Sequence, residues 1–122
     1  MAQNPIWSKH FIVAQSMAST INSVALSMQN QDNAYFSLIW TGTPTGTFNV
    51  QISNDHQQDG NGNVQVAGTW ATVTLNTPIT ATGSANNAGI IVNGIAAPWI
   101  RINYTASSGS GTLDAYFSAK GI

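Results

Sequence analysis

Apolar and polar residues alternate along much of this chain, and a period of two is the spacing of side chains on a β-strand. Residues 35–55 show it twice. Phe36, Leu38 and Trp40 fall on one side of a pleat, with Tyr35, Ser37 and Ile39 on the other; apolar on nearly both sides, this strand is expected to be central. Phe48, Val50 and Ile52 then alternate with Asn49, Gln51 and Ser53, the pattern of a strand with one buried face. The linker 41–46 holds two glycines and Pro44. Backbone freedom beside a fixed φ predicts a tight reversal, and so a hairpin to which the other strands are added.

Further strands are expected at 10–14, at 23–28 with Val24, Leu26 and Met28 on one face, at 64–67 and 69–75 with a bulge or bend at Gly68, at 79–82 and at 89–95. The cleanest alternation is 99–105, where Ile100, Ile102 and Tyr104 oppose Trp99, Arg101 and Asn103; the return strand 112–120 places Leu113, Ala115, Phe117 and Ala119 together. Segments rich in Gly, Asn, Asp or Pro separate these runs. About eight short strands of this kind are the signature of an all-β sandwich or barrel. No run keeps a 3.6 period long enough for a crossover helix, which argues against a parallel α/β sheet. Residues 1–9 carry no pattern. They are read as an extended N-terminal arm that docks Ile6 and Trp7 on its own domain or on a neighbouring copy, with 10–122 as one β-sandwich domain.

Composition changes the picture at the surface. Only 6% of residues are charged, against about a quarter in an ordinary domain. Ser, Thr, Asn and Gln make up 46 of 122 residues, glutamate is absent, and the net charge is −1. Such a surface is wettable with little self-repulsion, and tolerates dense packing against copies of itself. Extracellular adhesive β domains share this composition. Lys9, Arg101 and Lys120 are far apart in sequence, which argues against nucleic-acid binding through phosphates. The absence of cysteine removes disulfides, thiolate chemistry and Cys-ligated zinc. Residues 1–9 lack a basic start followed by an apolar run, and apolar stretches are short; neither a cleaved export signal nor membrane insertion is expected.

Catalysis has little to work with. The ionisable candidates are His10, His56, Asp32, Asp55, Asp59 and Asp114, and Asp55 and His56, as neighbours in an extended chain, point to opposite sides. No enzyme activity and no cofactor is expected. Asp59, Asn61 and Asn63 have the spacing of calcium-ligand oxygens, but Val64 and Trp70 stand where an EF-type loop needs glycine and glutamate; a solvated turn is the favoured reading. Of the tryptophans, Trp40 shares the face of Phe36 and Leu38 and belongs in the core. Trp99 lies on the polar face with Arg101, a candidate pair for an interface or a ligand.

The order W-T-G-T-P-T-G-T-F-N-V-Q-I-S-N-D (40–55), T-W (69–70), W-I-R-I-N-Y-T (99–105) and G-S-G-T-L (109–113) resembles a β-sandwich recurrent among structural proteins of bacteriophage particles, such as capsid decoration, minor capsid and spike proteins. The resemblance implies a single antiparallel, jelly-roll-like sandwich. It further implies a non-enzymatic virion component, assembled in the host cytoplasm in many copies, whose partners are itself and other virion proteins. It transfers no binding residues. The alternative reading is a receptor- or glycan-binding module of a spike or adhesin, with a host surface glycan on Trp99 and Arg101.

Overall fold

The computed structural model describes residues 7–28, 33–75, 78–94 and 96–120, and among these every regular element is a strand. In chain order they are β1 (Trp7–Ser16), β2 (Ile21–Asn22), β3 (Leu26–Ser27), β4 (Asn33–Gly42), β5 (Thr45–Ser53), β6 (Gln57–Gln58), β7 (Val64–Val66), β8 (Ala71–Val73), β9 (Ile79–Thr82), β10 (Asn86–Val92), β11 (Trp99–Ser108) and β12 (Gly111–Lys120). One sheet runs β1-β12-β4-β10. The second runs β2-β11-β5-β8, with β3 also on β11 and β9 also on β5; β6 and β7 pair only with each other.

Residues 23–25 between β2 and β3, and 74, 75 and 78 between β8 and β9, lie outside the strands. Taking each of these couples as one interrupted strand, and β6–β7 as an inserted hairpin, leaves eight strands. They pair first with eighth, second with seventh, third with sixth and fourth with fifth. A long hairpin rolled on itself in this way is a jelly roll, so the expected all-β, antiparallel, jelly-roll-like sandwich is the observed fold.

The inward faces follow the alternation in the sequence. Phe36, Leu38 and Trp40 of β4 meet Phe48, Val50, Ile100, Ile102 and Tyr104 of the other sheet in one buried cluster. Trp40 and Phe48 have ring centroids 5.1 Å apart, Phe48 and Tyr104 4.8 Å, the offset contacts that aromatic rings prefer. The Trp40 indole N–H, which burial would otherwise leave unpaired, donates to the Ser84 carbonyl (3.0 Å).

The expected hairpin turn at 41–46 is instead a corner between sheets, and so is the link from β11 to its return strand β12. β4 and β5 do not pair with each other, nor do β11 and β12; the segments 43–44 and 109–110 carry the chain from one layer to the other. The two corners pack together, with the Thr43 N–H donating to the Ser110 carbonyl (2.8 Å). A Cβ on Gly42, at φ +87°, would lie 2.7 Å from the Gly111 Cα. Of the two glycines that suggest a tight reversal, Gly42 thus serves close backbone contact between the two corners.

Other boundaries shift too. β1 begins at Trp7, pairing Trp7, Ser8 and Lys9 with Ala119, Ser118 and Phe117, so the last three residues assigned to the arm belong to a strand by their backbone. The expected strand 23–28 is broken: Ser23 receives the Ile102 N–H on its Oγ (2.9 Å) and gives its own N–H to the Ile102 carbonyl (2.9 Å). Val24 is exposed as a result, while Leu26 and Met28 stay buried. β10 starts at Asn86, three residues ahead of the expected Gly89, because Asn86, Asn87 and Ala88 pair opposite Trp40, Ile39 and Leu38.

Candidate functional site

With the inward faces closed into the core, any site lies on the two outward faces or at the ends. The outer face of the four-stranded sheet is set by β4, whose outward positions are Tyr35, Ser37 and Ile39. The register places Ile91 opposite Tyr35, Tyr116 opposite Ser37, and Asp114 opposite Ile39. Same-face diagonal neighbours on adjacent strands are within reach of large side chains, and Tyr116 is diagonal to both Tyr35 and Ile39. Ile91 is 68% exposed, Tyr35 and Ile39 43% each, and Tyr116 37%. A Cβ on Gly89 would lie 2.6 Å from the Tyr35 hydroxyl, so the Tyr35 side chain lies against bare backbone and extends the patch along β10.

His10 closes one side of this face. Its ring stacks on Tyr116 (centroids 4.2 Å apart, 14° between planes), and Nε2 lies 3.0 Å from Asp114 Oδ1. The same oxygen accepts the Ala14 N–H (3.0 Å). Ala14 has φ +45° within the irregular stretch of β1 between Ile12 and Gln15, a strained conformation for alanine that this hydrogen bond helps to hold.

The outer face of the six-stranded sheet is polar and ordered in rows. Asn49 Nδ2 donates to Asn103 Oδ1 (3.1 Å), and Asn103 Nδ2 donates to Asn22 Oδ1 (2.8 Å). In the next row Arg101 Nε donates to Gln51 Oε1 (2.8 Å), while the guanidinium carbon sits 4.4 Å from the centre of the Trp70 ring. Burial of this cation pushes the Arg101 pKa down. Trp99 is opposite Ser53, and His56 is buried between Trp99 (4.9 Å) and Trp70 (5.5 Å). The structure therefore brings Trp99 and Arg101 together with Trp70, Gln51 and His56, three partners that sequence spacing did not reveal. A cleft of about 400 Å³, which none of these five side chains lines, is formed by Ile52, Ser53, Asn54, Asp55, Thr69, Ala71 and Ala97.

Asp59 accepts the N–H groups of Asn61 (2.8 Å) and Asn63 (2.9 Å) on one oxygen and the Asn63 side-chain amide on the other (3.2 Å). These bonds, the Asn63 N–H first, hold its carboxyl below the usual range. Both oxygens are thus engaged in shaping the turn. Among the described residues no three His, Asp, Glu or Cys side chains gather as a metal site. Of the remaining candidates, Ile6 lies outside the described residues, as does the Trp7 side chain.

No family model and no curated protein matches this chain. Among solved structures, one from Bacillus endospore appendages, described as a family of disulfide-linked pili, is 16% identical over 99% of this chain and 93% of its own, at TM-score 0.46. The K1 cleaved adhesin domain of Lys-gingipain from Porphyromonas gingivalis W83 is 13% identical over 84% of this chain and 63% of its own, at TM-score 0.40. Overlaps this loose carry no weight for family or function. Neither neighbour is described as a phage protein, so the resemblance to virion sandwiches gains no support at family level.

Proposed function

We propose that this chain is a non-catalytic structural domain that assembles in many copies, its four-stranded sheet packing face to face on a second copy. The phage particle is the assembly that the sequence resemblance suggests. The observation that carries the reading is the exposed Tyr35, Ile39, Ile91 and Tyr116 patch, on a face where an isolated domain would place polar residues. A copy of the same chain is a fitting occupant electrostatically. Among the described side chains, His10 and Asp114 at the border of the patch bond each other, and at a net charge of −1 copies repel weakly.

Size argues for an array over a lone dimer. Four strands about 4.8 Å apart, sharing some seven residues each, present on the order of 500 Å² of flat face, below the roughly 800 Å² per partner of a stable interface. One such contact closes on two copies and is weak alone, so an array joins it to contacts through other faces. Sedimentation of the wild type at rising concentration tests this, beside a Tyr35→Ser, Ile91→Ser double variant. Assembly by the wild type, lost in a variant with unchanged melting temperature, is the expected result. A wild type that stays monomeric at every concentration, or a variant that assembles equally well, rejects the reading.

A further inference from the structure

The opposite face carries a charge with no counter-charge among the described residues. Each described carboxylate is engaged elsewhere: Asp55 with Ser53 and Thr69, Asp59 with its own turn, Asp114 with His10 and Ala14. Arg101 has no ion pair among the described residues. Its one hydrogen bond there uses Nε, so both terminal nitrogens keep their donors. A guanidinium held this way, over an indole and tied through Nε, has already lost much of the rotamer freedom that binding an anion would otherwise cost.

We propose that Arg101, fixed by Trp70 and Gln51, binds the carboxylate of an acidic sugar. The guanidinium edge matches a carboxylate through two parallel N–H donors. One row along the sheet, about 7 Å away by strand geometry, lies the Asn49–Asn103–Asn22 row. Its internal bonds use the Asn49 amide N–H and the Asn22 carbonyl oxygen, which leaves an acceptor on Asn49 and donors on Asn22. Neutral groups of both kinds suit sugar hydroxyls, which donate and accept. That pairing of one cation with a neutral amide row favours an acidic saccharide over a simple anion. The site lies on the six-stranded sheet and the segment leading into β8, and is independent of the assembly face.

The test is a titration of the isotope-labelled chain with glucuronate, N-acetylneuraminate, glucose and acetate, read at Arg101 Nε–H, the Trp70 indole and the side-chain amides of Gln51, Asn49, Asn103 and Asn22. An acidic sugar is expected to shift Arg101 and the Asn row together, more tightly than acetate, with glucose inert. Arg101→Lys keeps the charge but loses the fork, and is expected to weaken binding by about tenfold; Arg101→Gln is expected to abolish it. Melting temperature is followed for both variants, and if Arg101→Gln fails to fold, the lysine variant decides. Acetate binding as tightly as the sugars, silence from both acidic sugars, or undiminished binding by Arg101→Lys would each overturn the proposal.

Discussion

Gly46 and Tyr104 compete for the same space: a Cβ on Gly46 would lie 2.6 Å from the Tyr104 hydroxyl and would also strike the Thr105 carbonyl. Both sit in the β5–β11 pair, with Gly46 opposite Ala106 and Tyr104 opposite Phe48, so neither strand can yield without disturbing the sheet. Gly46→Ala is therefore expected to destabilise by about 1–3 kcal/mol, the usual effect of overpacking. Gly60→Ala, where nothing lies within 4 Å, is expected to change stability by less than about 0.5 kcal/mol. Urea unfolding of the two variants side by side checks both values.

The Tyr104 hydroxyl is itself an anomaly. The residue is fully buried, its oxygen has no hydrogen-bond partner among the described residues, and desolvation pushes its pKa up. A desolvated, unpaired hydroxyl costs about 1–3 kcal/mol, while the ring earns its place by packing on Phe48 at 4.8 Å. Tyr104→Phe keeps the ring and removes the cost. It is expected to leave the melting temperature unchanged or raise it by a few degrees; a clear fall would mean that the hydroxyl is bonded after all.

Much of this architecture was legible because burial imposes the period of two. Ile100, Ile102 and Tyr104 face inward, as do Leu113, Ala115, Phe117 and Ala119. What local pattern could not show is which strand pairs with which. Gly42 and Pro44 read as a hairpin turn but lie in a corner between layers, because a glycine that permits close approach looks the same whether it faces its own strand or another crossing. Tyr35 and Ile39 made β4 look covered on both sides; the strand is central in its sheet, yet its outer face is open. For the site, Trp99 and Arg101 were visible from their place on the polar side of β11. Gln51, Trp70 and His56 were not, since they reach that face through strand register and a folded-back loop.

Asp55 gives the stability a dependence on pH. Its carboxylate accepts the Thr69 N–H at 2.6 Å and the Ser53 hydroxyl at 2.9 Å, and these bonds, the Thr69 N–H foremost, lower its pKa below the ordinary 3.8. Unfolding restores the ordinary value, so the unfolded chain binds the proton more readily. The contribution is complete above the unfolded pKa and is lost as pH falls through the lower folded one. Asp59, lowered in the same direction, adds to this. Melting temperature is expected to decline on acidification below about pH 4. Asp55→Asn should melt lower at neutral pH and show a shallower acid decline; an acid limb parallel to the wild type's would remove Asp55 from the explanation.

His56 ties the β6–β7 insertion to the sheet. Its Nδ1 donates to the Ala67 carbonyl (2.9 Å), Nε2 pairs with the Gln58 side-chain amide (3.0 Å), and the ring fills the space between Trp70 and Trp99. The Trp70 indole N–H donates to the same Ala67 carbonyl (3.0 Å), so one backbone oxygen collects both rings. Gly68, at φ +89°, lets the returning strand pass where a Cβ would come within 2.8 Å of the His56 backbone. Outside this clamp the insertion has little to hold it, for Val64 and Val66 are exposed and β6 and β7 pair with no other strand. His56→Ala should therefore loosen the hairpin first and the sandwich second, since local opening begins where buried apolar contacts are few. Limited proteolysis is expected to cut the variant within 59–63 under conditions that leave the wild type whole, while amide exchange in β4 and β12 stays slow. Equal resistance of the two proteins would show that the hairpin is held by something other than His56.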